Sequence, residues 1–149
     1  MGFFDGYNVA TSGMSAQRQR INIVSSNIAN AQTTHGKDGG PYKKQNVVFQ
    51  EVLLEEAKKI DKNGQEKIDP LALKGVGVRE IIESKEAPIL KSEPNHPDAN
   101  KDGYVAYPNI NPVIEMTDLI EAMRSYEANV AAFKTQKTMD TQTLDIIKM

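Results

Sequence analysis

The residues best suited to binding a metal ion lie near position 100, where oxygen-bearing side chains alternate and a glycine follows: Asp98, Asn100, Asp102 and Gly103. This spacing matches the opening of a calcium-binding loop, whose alternate positions supply oxygen ligands. Position twelve of such a loop should be a bidentate glutamate, but here it is Asn109. The missing carboxylate favours an Asx-rich turn that leads into a strand. Because the opening of the loop still matches, a small calcium-binding module that uses residues 98–103 is kept as the alternative function.

The residue types used in nucleophilic catalysis are present but have no catalytic spacing. His35 and His96 fit neither the HxxxH nor the HExxH pattern of a metal site. The chain has no cysteine, and its serines lack the GxSxG context of a hydrolase. A third hypothesis is a hydrolase whose catalytic triad forms from residues that are distant in the sequence and that the fold brings together. We expect no catalytic residue, no cofactor and no metal, and hence not an enzyme.

The first of the elements that would position these residues is an N-terminal helix over about residues 5–34. Apolar and small side chains recur there in alternating steps of three and four, which is the heptad pattern of a coiled coil. We expect Gly36 to follow the helix end as its C′ residue. The stripe, called here the N-terminal stripe, consists of Tyr7, Ala10, Met14, Gln17, Ile21, Val24, Ile28 and Ala31.

A second helix, over residues 112–147, repeats the pattern. At 1.5 Å per residue it would be roughly 50 Å long, which is more than a domain of this size needs and points to contacts with other chains. The C-terminal stripe consists of Met116, Leu119, Met123, Tyr126, Val130 and Phe133, and it resumes at Leu144 and Ile147. The two helices are predicted to pair antiparallel and to pack against neighbouring subunits.

The segment between the helices has short apolar groups bounded by glycine and proline, which predicts short strands. Asn63 and Gly64 form a type I′ turn signal, and we expect the charged stretch 55–69 to be mobile. The fold class is therefore α+β, with two long terminal helices flanking a small β-rich insert. The predicted segments are an N-terminal helical region at 1–35, the insert at 36–111 and a C-terminal helical region at 112–149.

Three asparagines stand close together in the first helix, although asparagine is a poor helix former. They are Asn22, Asn27 and Asn30. They could simply be surface residues near a frayed helix end. We favour a role in which their amides bond across a helix–helix interface and fix its register.

Composition excludes several partners. A formal charge of −2 gives no broad attraction to nucleic acid or anionic lipid. The hydrophobic share of 39% is low, so part of the chain is expected to become ordered only against neighbouring chains. Residues 1–5 lack the basic and apolar regions of a cleaved secretory signal, and we expect none.

At both ends, the residues resemble the bacterial flagellar axial proteins, the group of rod, hook and hook-associated proteins. The N-terminal likeness lies in Ser12-Gly13-Met14, Gln17-Arg18-Gln19-Arg20, Ser26-Asn27-Ile28-Ala29-Asn30-Ala31 and Thr33-Thr34. The C-terminal likeness lies in Glu115-Met116, Tyr126-Glu127-Ala128-Asn129, Lys137-Thr138-Met139 and Leu144-Asp145-Ile146. The middle resembles the proximal rod proteins of the flagellar basal body in Gly39-Gly40-Pro41-Tyr42, Val47-Val48-Phe49, Gly75-Val76-Gly77-Val78 and the run from His96-Pro97-Asp98-Ala99 to Pro108-Asn109, and nothing is carried over to residues 55–73.

This resemblance implies a structural subunit that stacks helically into the rod crossing the periplasm and transmits torque. The terminal helices would form its coiled-coil inner layer. The expected partners are other copies of the chain, related rod proteins and the flagellar type III export apparatus, with no nucleic acid and no small-molecule substrate. The resemblance also favours the interpretation of residues 98–103 as a structural turn instead of a calcium site.

Overall fold

The computed structural model describes residues 5–36, 39–54, 58–60, 66–68 and 74–147. Its elements are α1 (Asp5–Ala29), β1 (Gln45–Leu53), β2 (Lys58–Ile60), β3 (Glu66–Ile68), β4 (Lys74–Glu83), β5 (Ile89–Ser92), β6 (Tyr104–Tyr107) and α2 (Pro112–Ile147). The predicted α+β class, with two terminal helices flanking a small strand insert, is confirmed. None of the helices in the described residues combines the length and apolarity needed to cross a membrane.

Helix α1 ends earlier than the sequence pattern predicts, at Ala29 instead of about residue 34. After Ala29 the backbone bonding changes to a tighter turn, in which the Ala31 N–H donates to the Ile28 carbonyl at 3.2 Å and the Thr33 N–H donates to the Asn30 carbonyl at 3.0 Å. The prediction of Gly36 as the C′ residue is wrong. Among the described glycines, Gly39 and Gly103 have positive φ and Gly36 does not.

Helix α2 has the predicted bounds, Pro112–Ile147. Asn111 caps its start: the side-chain oxygen accepts the Val113 N–H at 3.0 Å, and the carbonyl accepts the Glu115 N–H at 3.1 Å. Pro112 occupies the first helical position, where the missing N–H costs no intrahelical bond. An Asn-Pro pair at the boundary therefore fixes where this long helix begins.

The strands form three two-stranded sheets, which pair β1 with β4, β2 with β3, and β5 with β6. The β5–β6 pair is antiparallel, with Ile89 opposite Tyr107 and Ser92 opposite Tyr104. The β2–β3 pair is also antiparallel. The predicted turn at Asn63 and Gly64 lies outside the described residues, as does most of the charged stretch 55–69.

The described residues divide into two compact units. Unit 1 comprises Met1–Arg18, Phe49–Arg79 and Met123–Met149. Within it, strand β4 lies close to α1, because the Val76 N–H donates to the Ser12 hydroxyl oxygen at 3.2 Å. A Cβ on Gly75 would lie 2.6 Å from that oxygen and 2.6 Å from Leu54 Cδ1, so a side chain there would displace the Ser12 hydroxyl and the Leu54 side chain.

Unit 2 comprises Gln19–Val48 and Glu80–Ala122. Its buried apolar side chains are few and come from both helices and from the end of the insert: Val24, Val105, Ile110 and Ala122. Among the side chains of unit 1 that the structure describes, the buried apolar ones are those of Ala10 and Ala16. Apolar burial is therefore modest in both units, and polar contacts carry much of the specificity of the fold.

Candidate functional site

In unit 1 the start of α1 is held against the distal half of α2 through Tyr7. Its hydroxyl donates to Asp140 Oδ2 at 2.5 Å, and its ring packs edge-on against Phe133 with centroids 4.9 Å apart. Gln136 donates to the other Asp140 oxygen at 3.2 Å. The hydrogen bond to Asp140, with a smaller desolvation effect, raises the pKa of Tyr7 to about 12.

Two glycines mark where α1 and α2 approach closely in this unit. A Cβ on Gly13 would lie 2.6 Å from Asn129 Oδ1, and one on Gly6 would lie 3.1 Å from Gln136 Oε1. Seven residues separate the glycines, and seven separate their partners in the opposite direction. The helices therefore run antiparallel, with matched heptad steps.

In unit 2 the contact between the helices is a buried amide. Asn27 Nδ2 donates to Glu115 Oε2 at 3.0 Å and to the Gln45 carbonyl at 2.8 Å. Its Oδ1 accepts the Gln45 N–H at 2.9 Å and the Tyr42 hydroxyl at 3.1 Å. All four hydrogen-bonding positions of the amide are used, so Asn27 joins α1, α2 and the start of β1 at one point.

The carboxylate in this cluster is buried beside a partly exposed lysine. Glu115 is 1% exposed, and its Oε1 lies 2.6 Å from Lys44 Nζ. Lys44 compensates the buried charge, and removing either partner would leave the other unpaired. We call Asn27, Tyr42, Lys44, Gln45 and Glu115 the Asn27 network.

A second, weaker ion pair lies beside this network. Arg20 Nη2 is 3.6 Å from Asp118 Oδ1 and 4.0 Å from Glu121 Oε2. The partners are partly exposed, so the pair contributes little to stability. It repeats the antiparallel order, because Arg20 precedes Asn27 on α1 whereas Asp118 follows Glu115 on α2.

Apart from the contact of Tyr7 with Phe133 and Asp140, the contacts between the helices lie one residue before the stripe predicted from the sequence. On α1 they use Gly6, Gly13, Arg20 and Asn27, whereas the N-terminal stripe places Tyr7, Met14, Ile21 and Ile28 next to them. Val24, a member of the stripe, is buried. Tyr7, Met14, Ile21 and Ile28 are only half-buried. The chain itself therefore covers this stripe only partly.

The C-terminal stripe is offset in the same way. Glu115 and Asn129 face α1, whereas the stripe residues next to them, Met116 and Val130, are exposed and half-buried respectively. Of the remaining stripe residues, Met123 and Leu144 are exposed and Leu119, Tyr126 and Phe133 are half-buried. The side chain of Ile147 lies outside the part of the chain that the structure describes.

The three asparagines of α1 behave differently from one another. Asn27 bonds across to α2, as expected of a register-fixing amide. Asn30 bonds to its own helix end, and Asn22 is exposed. Whether any of them meets a neighbouring chain stays a prediction.

The 98–103 segment is an Asx turn. Asn100 Oδ1 accepts the N–H groups of Asp102 at 3.0 Å and Tyr104 at 2.9 Å, so this oxygen already serves the turn that feeds β6. Asp98 accepts the Thr34 hydroxyl at 2.7 Å. In the described part of the chain, no three His, Cys, Asp or Glu side chains converge as metal ligands do.

The described residues that most resemble a catalytic triad are Thr34, His96 and Asp98. Their hydrogen bonds differ from those of a triad. The Thr34 hydroxyl bonds to the carboxylate, and His96 Nδ1 accepts the Asp98 N–H at 3.1 Å. A nucleophile must bond to the imidazole instead. Tyr107 donates to Glu93 at 2.9 Å, and this bond raises the pKa of Tyr107.

Sequence reasoning missed the central role of Glu115 and all of its partners on the insert. Glu115 and Tyr42 stood out in the sequence only as members of motifs shared with the flagellar axial proteins, which gave them no role in the fold. Lys44 belongs to no periodic pattern and gave no indication of its contact with Glu115. The sequence does contain one indication of their role, which is their position: Asn27 and Glu115 each stand one residue before a stripe residue.

Comparison with known proteins gives matches at both ends and along the whole chain. The family described as flagella basal body rod protein matches residues 8–36, and the one described as flagellar basal body rod FlgEFG protein C-terminal matches residues 101–146. The flagellar basal-body rod protein FlgC of Borreliella burgdorferi is 40% identical over 99% of both chains. FlgC of Bacillus subtilis is 40% identical over 97% of this chain and 98% of its own, and FlgC of Escherichia coli O157:H7 is 38% identical over 98% of both.

Proposed function

Because the chain belongs to the family of flagellar basal-body rod proteins, we propose that its terminal helices carry the contacts between neighbouring subunits of that rod. It is a structural subunit of the flagellar basal body and not an enzyme. The residues proposed to form the assembly interface are the stripe residues Tyr7, Met14, Ile21, Val24, Ile28, Met116, Leu119, Met123, Tyr126, Val130, Phe133, Leu144 and Ile147, together with the amides Asn22, Asn27 and Asn30.

The observation that supports this interface is the one-residue offset between intrachain contacts and apolar stripes. Except at Tyr7, which packs on Phe133, the chain uses glycine, amide and charged residues to pair its own helices. Met14, Ile21 and Ile28 are left half-exposed, and Met116 and Met123 are left exposed. Apolar side chains at heptad spacing gain stability only when a partner helix covers them.

A rod needs many such contacts rather than one strong one. A covered aliphatic side chain contributes on the order of 1–2 kcal/mol, and several per helix act together. Helical stacking through these contacts would let the subunits transmit torque along the rod across the periplasm.

Substitution of Ile21 by aspartate tests the interface. Ile21→Asp places an unpaired charge in a contact that would otherwise be apolar, so we expect loss of rods and of motility. The matched control is Gln19→Asp, which adds the same charge at an exposed position two residues away. Electron microscopy of isolated basal bodies and swimming in soft agar are the measurements.

Because Ile21 is half-buried, its substitution could also affect folding of the single chain. Met123→Asp reduces this problem, since Met123 is 47% exposed and a carboxylate there stays in contact with solvent in the single chain. We expect the same loss of rods with an unchanged urea midpoint. Normal rods in both variants would refute the interface.

We also propose export by the flagellar type III apparatus without a cleaved signal. Modest apolar burial in both units supports this route, because a chain with a small core unfolds readily before export. Mass spectrometry of the protein from purified basal bodies tests the second part. An intact N-terminus, with or without Met1, is expected, and a mature chain beginning further along would contradict it.

A further inference from the structure

The strongest unexplained surface is a row of exposed apolar side chains along α2, on a face away from α1. Val113, Met116, Ile120 and Met123 are between 47% and 71% exposed. Their steps are three, four and three residues, and the next step of four reaches the exposed carboxylate Glu127. We call these five residues the outer α2 stripe. Only Met116 and Met123 also belong to the C-terminal stripe.

A matching row runs along α1 beside its contacts with α2. Met14, Ile21 and Ile28 are half-exposed, and Arg18 and Ser25 stand between them and are exposed. Their steps are four, three, four and three. We call these five residues the α1 flank.

We propose that the α1 flank of one copy of this chain packs antiparallel on the outer α2 stripe of a second copy. This inference rests on the proposed function and specifies which faces meet. In antiparallel order the steps of the two rows coincide throughout. Ile21 then lies opposite Ile120 and Ile28 opposite Val113, which gives two apolar pairs, while Ser25 lies opposite Met116 and the remaining pairs are Arg18 with Met123 and Met14 with Glu127.

Charge favours the same arrangement. Antiparallel packing brings Arg18 next to Met123 and within one turn of Glu127. Within its own chain Arg18 forms no ion pair with a described residue, and neither does Glu127. The α1 helix carries no acidic residue after Asp5, whereas the first half of α2 carries Glu115, Asp118, Glu121 and Glu127. An α1 flank is therefore drawn to α2 of another copy rather than to another α1.

The contact joins two different faces, so each copy offers one free α1 flank and one free outer α2 stripe. A heterologous contact of this kind does not close on itself after one pairing and extends helically or around a ring. This property suits a subunit of a cylindrical rod, whereas pairing of identical faces would stop at a dimer.

Disulfide trapping in assembled rods tests the pairing, and the absence of native cysteine removes any background. Ile21→Cys and Ile120→Cys are made in separate copies with tags of different length and are expressed together. Basal bodies are then oxidised with copper phenanthroline. Two cysteines cross-link only when their Cβ atoms come within about 4.5 Å. The mixed 21–120 dimer is expected to exceed both homodimers at least tenfold.

Gln19→Cys paired with Ile120→Cys is the control, because Gln19 is exposed on another face of α1. Assembled rods that yield only homodimers, or as much 19–120 product, would overturn the pairing and leave the helical interface intact. Cross-linking of Ile120→Cys only to a cysteine placed in another rod protein would also overturn it, because the partner would not be a second copy. Rods unaffected by Ile21→Asp and Met123→Asp would instead refute the proposed function itself.

A charge-reversal pair gives an independent measurement. Arg18→Glu is expected to shrink the swimming halo at least twofold without changing the urea midpoint, since Arg18 is exposed. Adding Glu127→Arg should restore the halo, because the attraction is rebuilt with the signs exchanged. Equal halos for the single and double variants would contradict the proposed contact.

Discussion

Asn27 and Glu115 are hydrogen-bonded at 3.0 Å although 88 residues separate them in the chain, and each is 1% exposed. Their contact fixes the register of α1 on α2 in unit 2. Lys44 completes it by neutralising the carboxylate from the strand side. The insert and both helices are thereby joined by polar groups that have partners only in this register.

Glu115→Ala should be the most destabilising single substitution among these charged residues. It leaves the Lys44 ammonium and the Asn27 amide without their shared partner, at a cost of roughly 3 kcal/mol. Urea unfolding measures the loss. Glu121→Ala is the control, because that carboxylate is 64% exposed and should cost at most about 0.5 kcal/mol. Equal losses for the two variants would contradict the role of the network.

Gly13→Ala tests the close approach of the helices in unit 1. An added methyl would displace the Asn129 amide and break its bond to the Ser125 carbonyl, which outweighs the gain in helix propensity. We expect a net loss of about 1 kcal/mol. In an Asn129→Ala background the same change should stabilise by about 1 kcal/mol. A double-mutant cycle with no coupling would show that the residues do not meet.

Gln17→Leu is expected to stabilise the isolated chain. Gln17 Oε1 is buried and has no hydrogen-bond partner among the described residues. A leucine of similar volume removes the unsatisfied acceptor, for a gain of about 1–2 kcal/mol. The thermal midpoint should rise accordingly. A fall in the midpoint would mean that the amide has a partner in solution.

Tyr7 should make the chain sensitive to alkali. Its pKa is raised from 10.0 to about 12, so the protonated phenol is favoured in the folded state. The resulting stabilisation is complete below pH 10 and is lost as the pH rises from 10 to about 12. The difference in absorbance titration between the wild type and Tyr7→Phe should therefore have its midpoint near pH 12. A midpoint near pH 10 would show that the bond to Asp140 is not formed.

Much of the architecture follows from local pattern. Pro112 and the heptad spacing beyond it predict α2 with its observed bounds, and short apolar groups predict β1, β4, β5 and β6. The end of α1 was predicted five residues late, because the periodicity continues to Ala31 whereas the backbone changes after Ala29 to bonds between residues three apart. Periodicity reports what a helix face contains and does not report where the backbone hydrogen bonding changes.

By itself, the sequence determined the helix–insert–helix order, the apolar stripes, the Asx turn and the likeness to rod proteins, because each depends on residues close together in the chain or on whole motifs. Only the tertiary structure decided which side of each stripe the chain uses for itself. That choice depends on Gly13 against Asn129 and on Asn27 against Glu115, pairs distant in sequence. One residue is a rotation of about 100° on a helix, and a stripe is about that wide. Periodicity therefore cannot separate the face that pairs within the chain from the face left for a neighbour, whereas close approach and buried hydrogen bonds can.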